Sequence, residues 1–173
     1  MNGEVFNANP TIYTKSKRSL RKSPFETGQS LWVDDIEQQD WSDTSDAEPI
    51  DQDEVFDLIR SIADPEHPNS LEELRVVSPE QIDIGSNVIT VEFTPTVPHC
   101  GMSTLIGLSI RVRLMRCLPP RFKVDIRVKP GSHQSELAVN KQLNDKERVA
   151  AALENQALVE TLEKCLATAG SQE

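Results

Sequence analysis

No stretch of the 173 residues approaches the run of about 18 apolar side chains that a membrane-spanning helix requires. Met1-Asn2-Gly3-Glu4 has neither the charged nor the apolar region of a secretory signal. A soluble intracellular protein without membrane contact is expected. Cysteine is scarce: Cys100, Cys117 and Cys165 are odd in number and widely spaced, with no Cys-x-x-Cys pair. That pattern argues against a disulfide framework or a zinc ribbon and suits reduced thiols. Internal repeats are absent too. Arg111, Arg113, Arg116, Arg121 and Arg127 could form a basic face, but no nucleic-acid motif accompanies them, so a solvated surface or a protein contact is expected, not direct nucleic-acid binding.

Charge is present and unevenly placed. Residues 1–54 carry 5 basic and 12 acidic groups, net -7, whereas residues 55–173 carry 13 and 16, net -3. Residues 1–50 read as a disordered tail, because polar residues, scattered prolines and no sustained period cannot offset the entropy of ordering. Within it Lys15, Lys17, Arg18, Arg21 and Lys22 form a basic cluster, and Asp34 to Glu54 then holds ten acids and no Lys or Arg. Both tryptophans, Trp32 and Trp41, lie in this polar tail, which marks them as candidate partner-docking residues.

Residues 51–170 read as one α+β domain. Val55, Leu58, Ile59 and Ile62 have amphipathic-helix spacing, and Asp64-Pro65 is expected to end that helix. Ser70 and Glu73 have the spacing of a capping box around a short helical turn. Gln81–Ile84 and Val88–Phe93 alternate around Gly85-Ser-Asn87, the pattern of an antiparallel hairpin. A helix follows over Ser103–Cys117, closed by Pro119-Pro120, and Phe122–Val128 alternates as a third strand. From about Ser135 the chain reads as helix in two pieces, with Asn144-Asp-Lys-Glu147 offering a cap. The expected order is α-β-β-α-β-α-α: a small mixed sheet, hairpin plus one further strand, packed by helices. Cys117 and Cys165 fall on apolar helix faces and are expected in the core. His67 and His133 follow turn sequences and are expected to be exposed.

Cys100 differs from the other thiols. It stands in a loop just ahead of a predicted helix, whose first amide groups favour negative charge. The dipole contributes about 0.3–1 kcal/mol, or roughly 0.2–0.7 pKa unit, which leaves an ordinary thiol mostly protonated. A protonated His99 or a bound metal would complete the activation. Adjacent residues in an extended loop tend to point apart, however, and no third orienting group is evident for a Cys100–His99 nucleophile pair.

Asp64-Pro-Glu-His67, Phe93-Thr-Pro-Thr-Val-Pro-His-Cys100 with Leu105-Ile-Gly-Leu108, Gly131-Ser-His133, and the block from Asn140 to Asn155 together resemble the eukaryotic cytosolic iron-sulfur assembly component 2 family, in particular its B-type member. The resemblance covers about residues 50–168. It implies a non-enzymatic member of a targeting complex, joined to a WD-repeat propeller subunit and a HEAT-repeat scaffold. That complex delivers clusters to cytosolic and nuclear apo-protein clients, among them DNA-metabolism enzymes that bear on chromosome segregation. The family's reactive cysteine maps onto Cys100 as a candidate transient or shared metal ligand. Asp64, Glu66, His133 and Glu136 match family motifs as candidate neighbours or ligands. One thiol cannot hold a cluster that takes four thiolates, so no stably bound cofactor is expected; a transient cluster, or one bridging a homodimer, would need further ligands. The competing readings are a structural interaction module in which the cysteine is incidental, and a cysteine-dependent thiol or acyl transferase.

Overall fold

A computed structural model describes residues 10–16, 50–96 and 102–170. His99, Cys100, Trp32 and Trp41 lie outside the described residues. Among the described residues, eight regular elements follow in the order α1 (Gln52–Ile59), β1 (Ile82–Ile84), β2 (Val88–Phe93), α2 (Ser103–Cys117), β3 (Lys123–Val128), α3 (Glu136–Asn144), α4 (Lys146–Glu154) and α5 (Gln156–Ala167). Short 3-10 turns at Pro79–Gln81 and Thr168–Gly170 complete the set.

The sheet has the order β1-β2-β3. β1 and β2 form the antiparallel hairpin, with Ile82 opposite Val91 and Ile84 opposite Ile89. β3 runs parallel to β2, pairing Ile89 with Val124, Val91 with Ile126 and Phe93 with Val128. Parallel neighbours need a crossover, which α2 supplies. All six of those β2 and β3 side chains are buried, as period-two alternation requires when one face meets the core. α2 lies close to this layer because of Gly107: a Cβ there would stand 2.4 Å from Leu143 Cδ1 and 3.2 Å from Phe93 Cε1.

The outer edge of β3 is covered by two α3 side chains one turn apart. Val128 N donates to Asn140 Oδ1 at 2.7 Å, Ile126 N donates to Asn144 Oδ1 at 3.0 Å, and Asn144 Nδ2 returns a bond to Ile126 O at 2.8 Å. The asparagines occupy groups that would otherwise template another strand.

Three expectations are corrected, and the Ser70–Glu73 turn stands as expected. α1 is capped by Asp51, which exchanges reciprocal bonds with Glu54, but it stops at Ile59, short of Asp64. Beyond it the backbone turns to other partners: Leu71 N donates to Ile62 O, and Ala63 N donates to Cys165 O. The Ser70–Glu73 capping bonds form as expected and close a short turn. The C-terminal region holds three helices, because Asp145 and Asn155 each leave the helical conformation and cap the next helix with their side chains. Finally, Cys117 is exposed while Cys165 is buried; the last turn of α2 leaves the core and exposes Met115 and Arg116 beside it.

The arginines do not form one basic face. Arg111 is buried and donates to Val124 O, Arg113 donates to Leu58 O and Ala169 O, Arg116 pairs with Glu163, and Arg127 pairs with Asp125.

Candidate functional site

The turn after α1 gathers three groups able to hold a metal ion. Asp64 Oδ1 accepts from Glu66 N at 2.7 Å and His67 N at 3.0 Å, and it lies 3.3 Å from His67 Nδ1. An aspartate that takes up amides two and three residues ahead is a locally encoded turn, and Pro65 pre-sets its geometry. The segment is anchored from both sides: Asp64 N donates to Asn69 O, and Ala63 pairs with Ser70. Ligand atoms of Asp64, Glu66 and His67 all lie within 4.8 Å of one another. Bonds of about 2.0–2.2 Å to a zinc-like ion would place donors roughly 3.3 Å apart, so modest closure would bring the three onto one centre.

The side chains of Asp64 and His67 are 1% and 5% exposed, which corrects the expectation of an exposed His67. Residues 63–70 fold back on themselves, so the imidazole is drawn inward by the same carboxylate that shapes the turn. The Nδ1 contact with Asp64 orients the imidazole within the turn.

Asp64 Oδ2 is buried without a hydrogen-bond partner among the described residues. Its charge is felt by Cys165 on α5: burial pushes that thiol up, and Asp64 pushes it further, against a smaller downward effect from the Ser109 hydroxyl on α2. Cys165 is therefore a protonated, poorly nucleophilic thiol at neutral pH.

Among the described residues, His133 and Glu136 do not join this cluster of ligand atoms. His133 is 9% exposed, again buried where exposure was expected, because Nδ1 accepts from Ser135 N at 3.0 Å and folds the ring into the turn that starts α3. Glu136 accepts from Gly131 N at 2.7 Å, holding that glycine at φ 78. These two residues shape the β3–α3 connection. His67 joins Asp64 and Glu66 in their place, and the signal for it was present in the sequence as an Asp three residues ahead of a His.

The sequence matches the family described as iron-sulfur cluster assembly protein over residues 52–128, from α1 through β3. It is also 53% identical to Protein AE7 of Arabidopsis thaliana, across 94% of this chain and 95% of that one. The chain belongs to this iron-sulfur cluster assembly family. Within the family it is 50% identical to MIP18 family protein galla-2 of Drosophila melanogaster, over 96% of this chain and 98% of that protein. It is 51% identical to cytosolic iron-sulfur assembly component 2B of Mus musculus, over 95% and 92% of the two chains. Among the described residues no helix is long and apolar enough to cross a membrane.

Proposed function

We propose that this chain is a non-enzymatic component of the cytosolic iron-sulfur targeting machinery, helping to deliver clusters to cytosolic and nuclear apo-proteins. The observation that carries the reading is near-complete alignment at about half identity with proteins named cytosolic iron-sulfur assembly component 2B. In this reading the partners are a WD-repeat propeller subunit, a HEAT-repeat scaffold and the client apo-proteins. Cys100, three residues ahead of α2, is the transient or shared ligand during handover. A single thiol needs other donors to hold iron even briefly, and the Asp64–Glu66–His67 turn supports the reading by offering carboxylate and imidazole donors in one partly buried place.

Two measurements test it. Affinity capture of the full chain from eukaryotic cells should recover a WD-repeat and a HEAT-repeat subunit together. Cys100→Ala should keep the wild-type melting temperature while client cluster content, read as bound iron and sulfide, falls severalfold. Full client loading in that variant would remove the thiol from the mechanism.

A further inference from the structure

Residues 10–16 run across the surface as a strap, held by the turn that follows the Asp64–His67 segment. Tyr13 N donates to Glu73 O at 2.8 Å. Ser16 donates twice to Glu72 Oε1, from its backbone N at 2.7 Å and its hydroxyl at 2.9 Å, and Ser16 O accepts from Arg60 Nη2 at 2.6 Å. The Arg75 guanidinium sits 4.0 Å from the Tyr13 ring centroid, and Arg75 has φ 51, the one left-handed non-glycine conformation among the described residues. A bulky residue held there is strained and persists only where surrounding contacts over-determine it; the cation–π stack on Tyr13 is such a contact.

The strap's grip is polar and thin. Residues 11–16 are all exposed, Ile12 by 61% and Tyr13 by 36%, so little apolar burial holds it and its local opening is easy. Tyr13 N and Lys15 Nζ meet Glu73, while both Ser16 donors meet one acid, Glu72, which is itself 8% exposed and engaged by Arg60. We propose that Ser16 is a phosphorylation site whose modification releases the strap from the Glu72–Arg75 turn. In an opened strap, Ser16 Oγ attacks the γ-phosphorus of a kinase-bound nucleoside triphosphate and an O–P bond forms. The bond to the β–γ bridging oxygen breaks, its electron pair leaves with the nucleoside diphosphate, and the hydroxyl proton passes to the kinase's base. The product has lost its hydroxyl donor to Glu72, keeping only the backbone N–H, and carries a charge of about -1.5 to -2 where the hydroxyl stood. Glu72 is already paired with Arg60 and Glu73 stands next to it, so re-docking places like charges together. Ser70 and Ser78 hydroxyls also meet carboxylates, but of residues two or three positions on, where a phosphate disturbs only its own turn. The Ser16 contact spans 56 residues, so its loss detaches a segment. The released face borders a groove of about 740 Å³ that Tyr13, Phe56, Val77 and Thr94 help to line.

The test is amide hydrogen exchange at Tyr13 in the full chain, with phosphoserine installed at position 16 during synthesis. Phosphorylation should accelerate Tyr13 exchange about tenfold or more and leave β2 and α2 amides unchanged. Ser16→Ala, which loses a donor without adding charge, should accelerate it less, and Glu72→Gln in the phosphorylated chain should restore part of the protection. Should Glu72→Gln prove unstable, the comparison of phosphoserine with alanine decides alone. Unchanged or greater Tyr13 protection in the phosphorylated chain, as capture of the phosphate by Arg60 would give, overturns the proposal. So does release by Ser16→Ala equal to release by phosphorylation.

Discussion

Two buried carboxylates eight positions apart are treated in opposite ways. Glu72 and Asp64 are 8% and 6% exposed, and both lie in the irregular segment between α1 and β1. Glu72 has both oxygens engaged: Arg60 reaches Oε2 through Nε at 2.8 Å and Oε1 through Nη2 at 3.0 Å, and Ser16 adds two donors. A forked guanidinium on a carboxylate is a strong and geometrically specific pairing. Asp64 has one oxygen crowded with three donor groups and another with none among the described residues. Burying half a carboxylate unsatisfied is costly, and such an orphan in a native fold asks for an explanation beyond architecture. Glu72 is built into the structure, whereas Asp64 retains coordinating capacity beside Glu66 and His67.

The largest expected effect tests the architectural half. Arg60→Ala leaves Glu72 and Asp57 without their shared cation and should destabilise the domain by about 3–5 kcal/mol, as breaking one side of a buried pair does. Urea unfolding with an unchanged m-value is the measurement, and a loss below about 1 kcal/mol would mean that the pair behaves as a surface salt bridge. Asp64→Asn should do far less to stability. Its amide oxygen can still take the Glu66 and His67 amides and a buried charge is removed, so a change within about 1 kcal/mol is expected. Client cluster loading should nevertheless fall in this variant. A loss of stability matching Arg60→Ala would erase the distinction between the two acids.

A third substitution marks how tightly the frame around them is packed. Gly107→Ala gains about 0.8–1 kcal/mol of helix propensity but drives a methyl into Leu143 and Phe93, and overpacking costs about 1–3 kcal/mol. A net loss of about 1 kcal/mol in the same unfolding assay is expected; a gain would show that Leu143 moves aside freely.

Much of the frame was legible in the sequence. β2 and α2 coincide with their predicted spans because strict alternation and a Pro-bounded helical period leave little ambiguity over such runs. The hairpin followed from Gly85-Ser-Asn87. What escaped was decided by contacts between distant segments. The shortening of α1 depends on Leu71 and Cys165, and the covering of β3 by Asn140 and Asn144 depends on a helix folding back along an edge. Asn155 resembles any helix-surface asparagine until its side chain is seen accepting from Leu158 N. At the candidate site Asp64 and Glu66 were singled out through resemblance, whereas His67 was misplaced because turn composition suggests exposure and says nothing of what folds over the turn.

The smallest expected effect asks whether the Asp64 charge reaches the core as the geometry implies. Burial first and Asp64 second raise the Cys165 thiol above its ordinary value, so the folded state favours the neutral form. That stabilisation is complete below the unfolded thiol's pKa of about 8.5. As pH rises past it the unfolded chain deprotonates first, and the contribution is lost progressively until the folded pKa is passed. Urea midpoints measured between about pH 8 and 10 should therefore fall with an added slope in the wild type. Cys165→Ala should remove that added slope. Asp64→Asn should reduce it without abolishing it, because burial persists when the carboxylate charge is gone. Native-state alkylation gives a second readout at neutral pH: exposed Cys117 should react while Cys165 stays protected until the chain unfolds. An alkaline slope in Asp64→Asn equal to that of the wild type, with the slope still lost in Cys165→Ala, would show that the Asp64 carboxylate is screened from Cys165, and the contrast between the two buried acids would then rest on the turn alone.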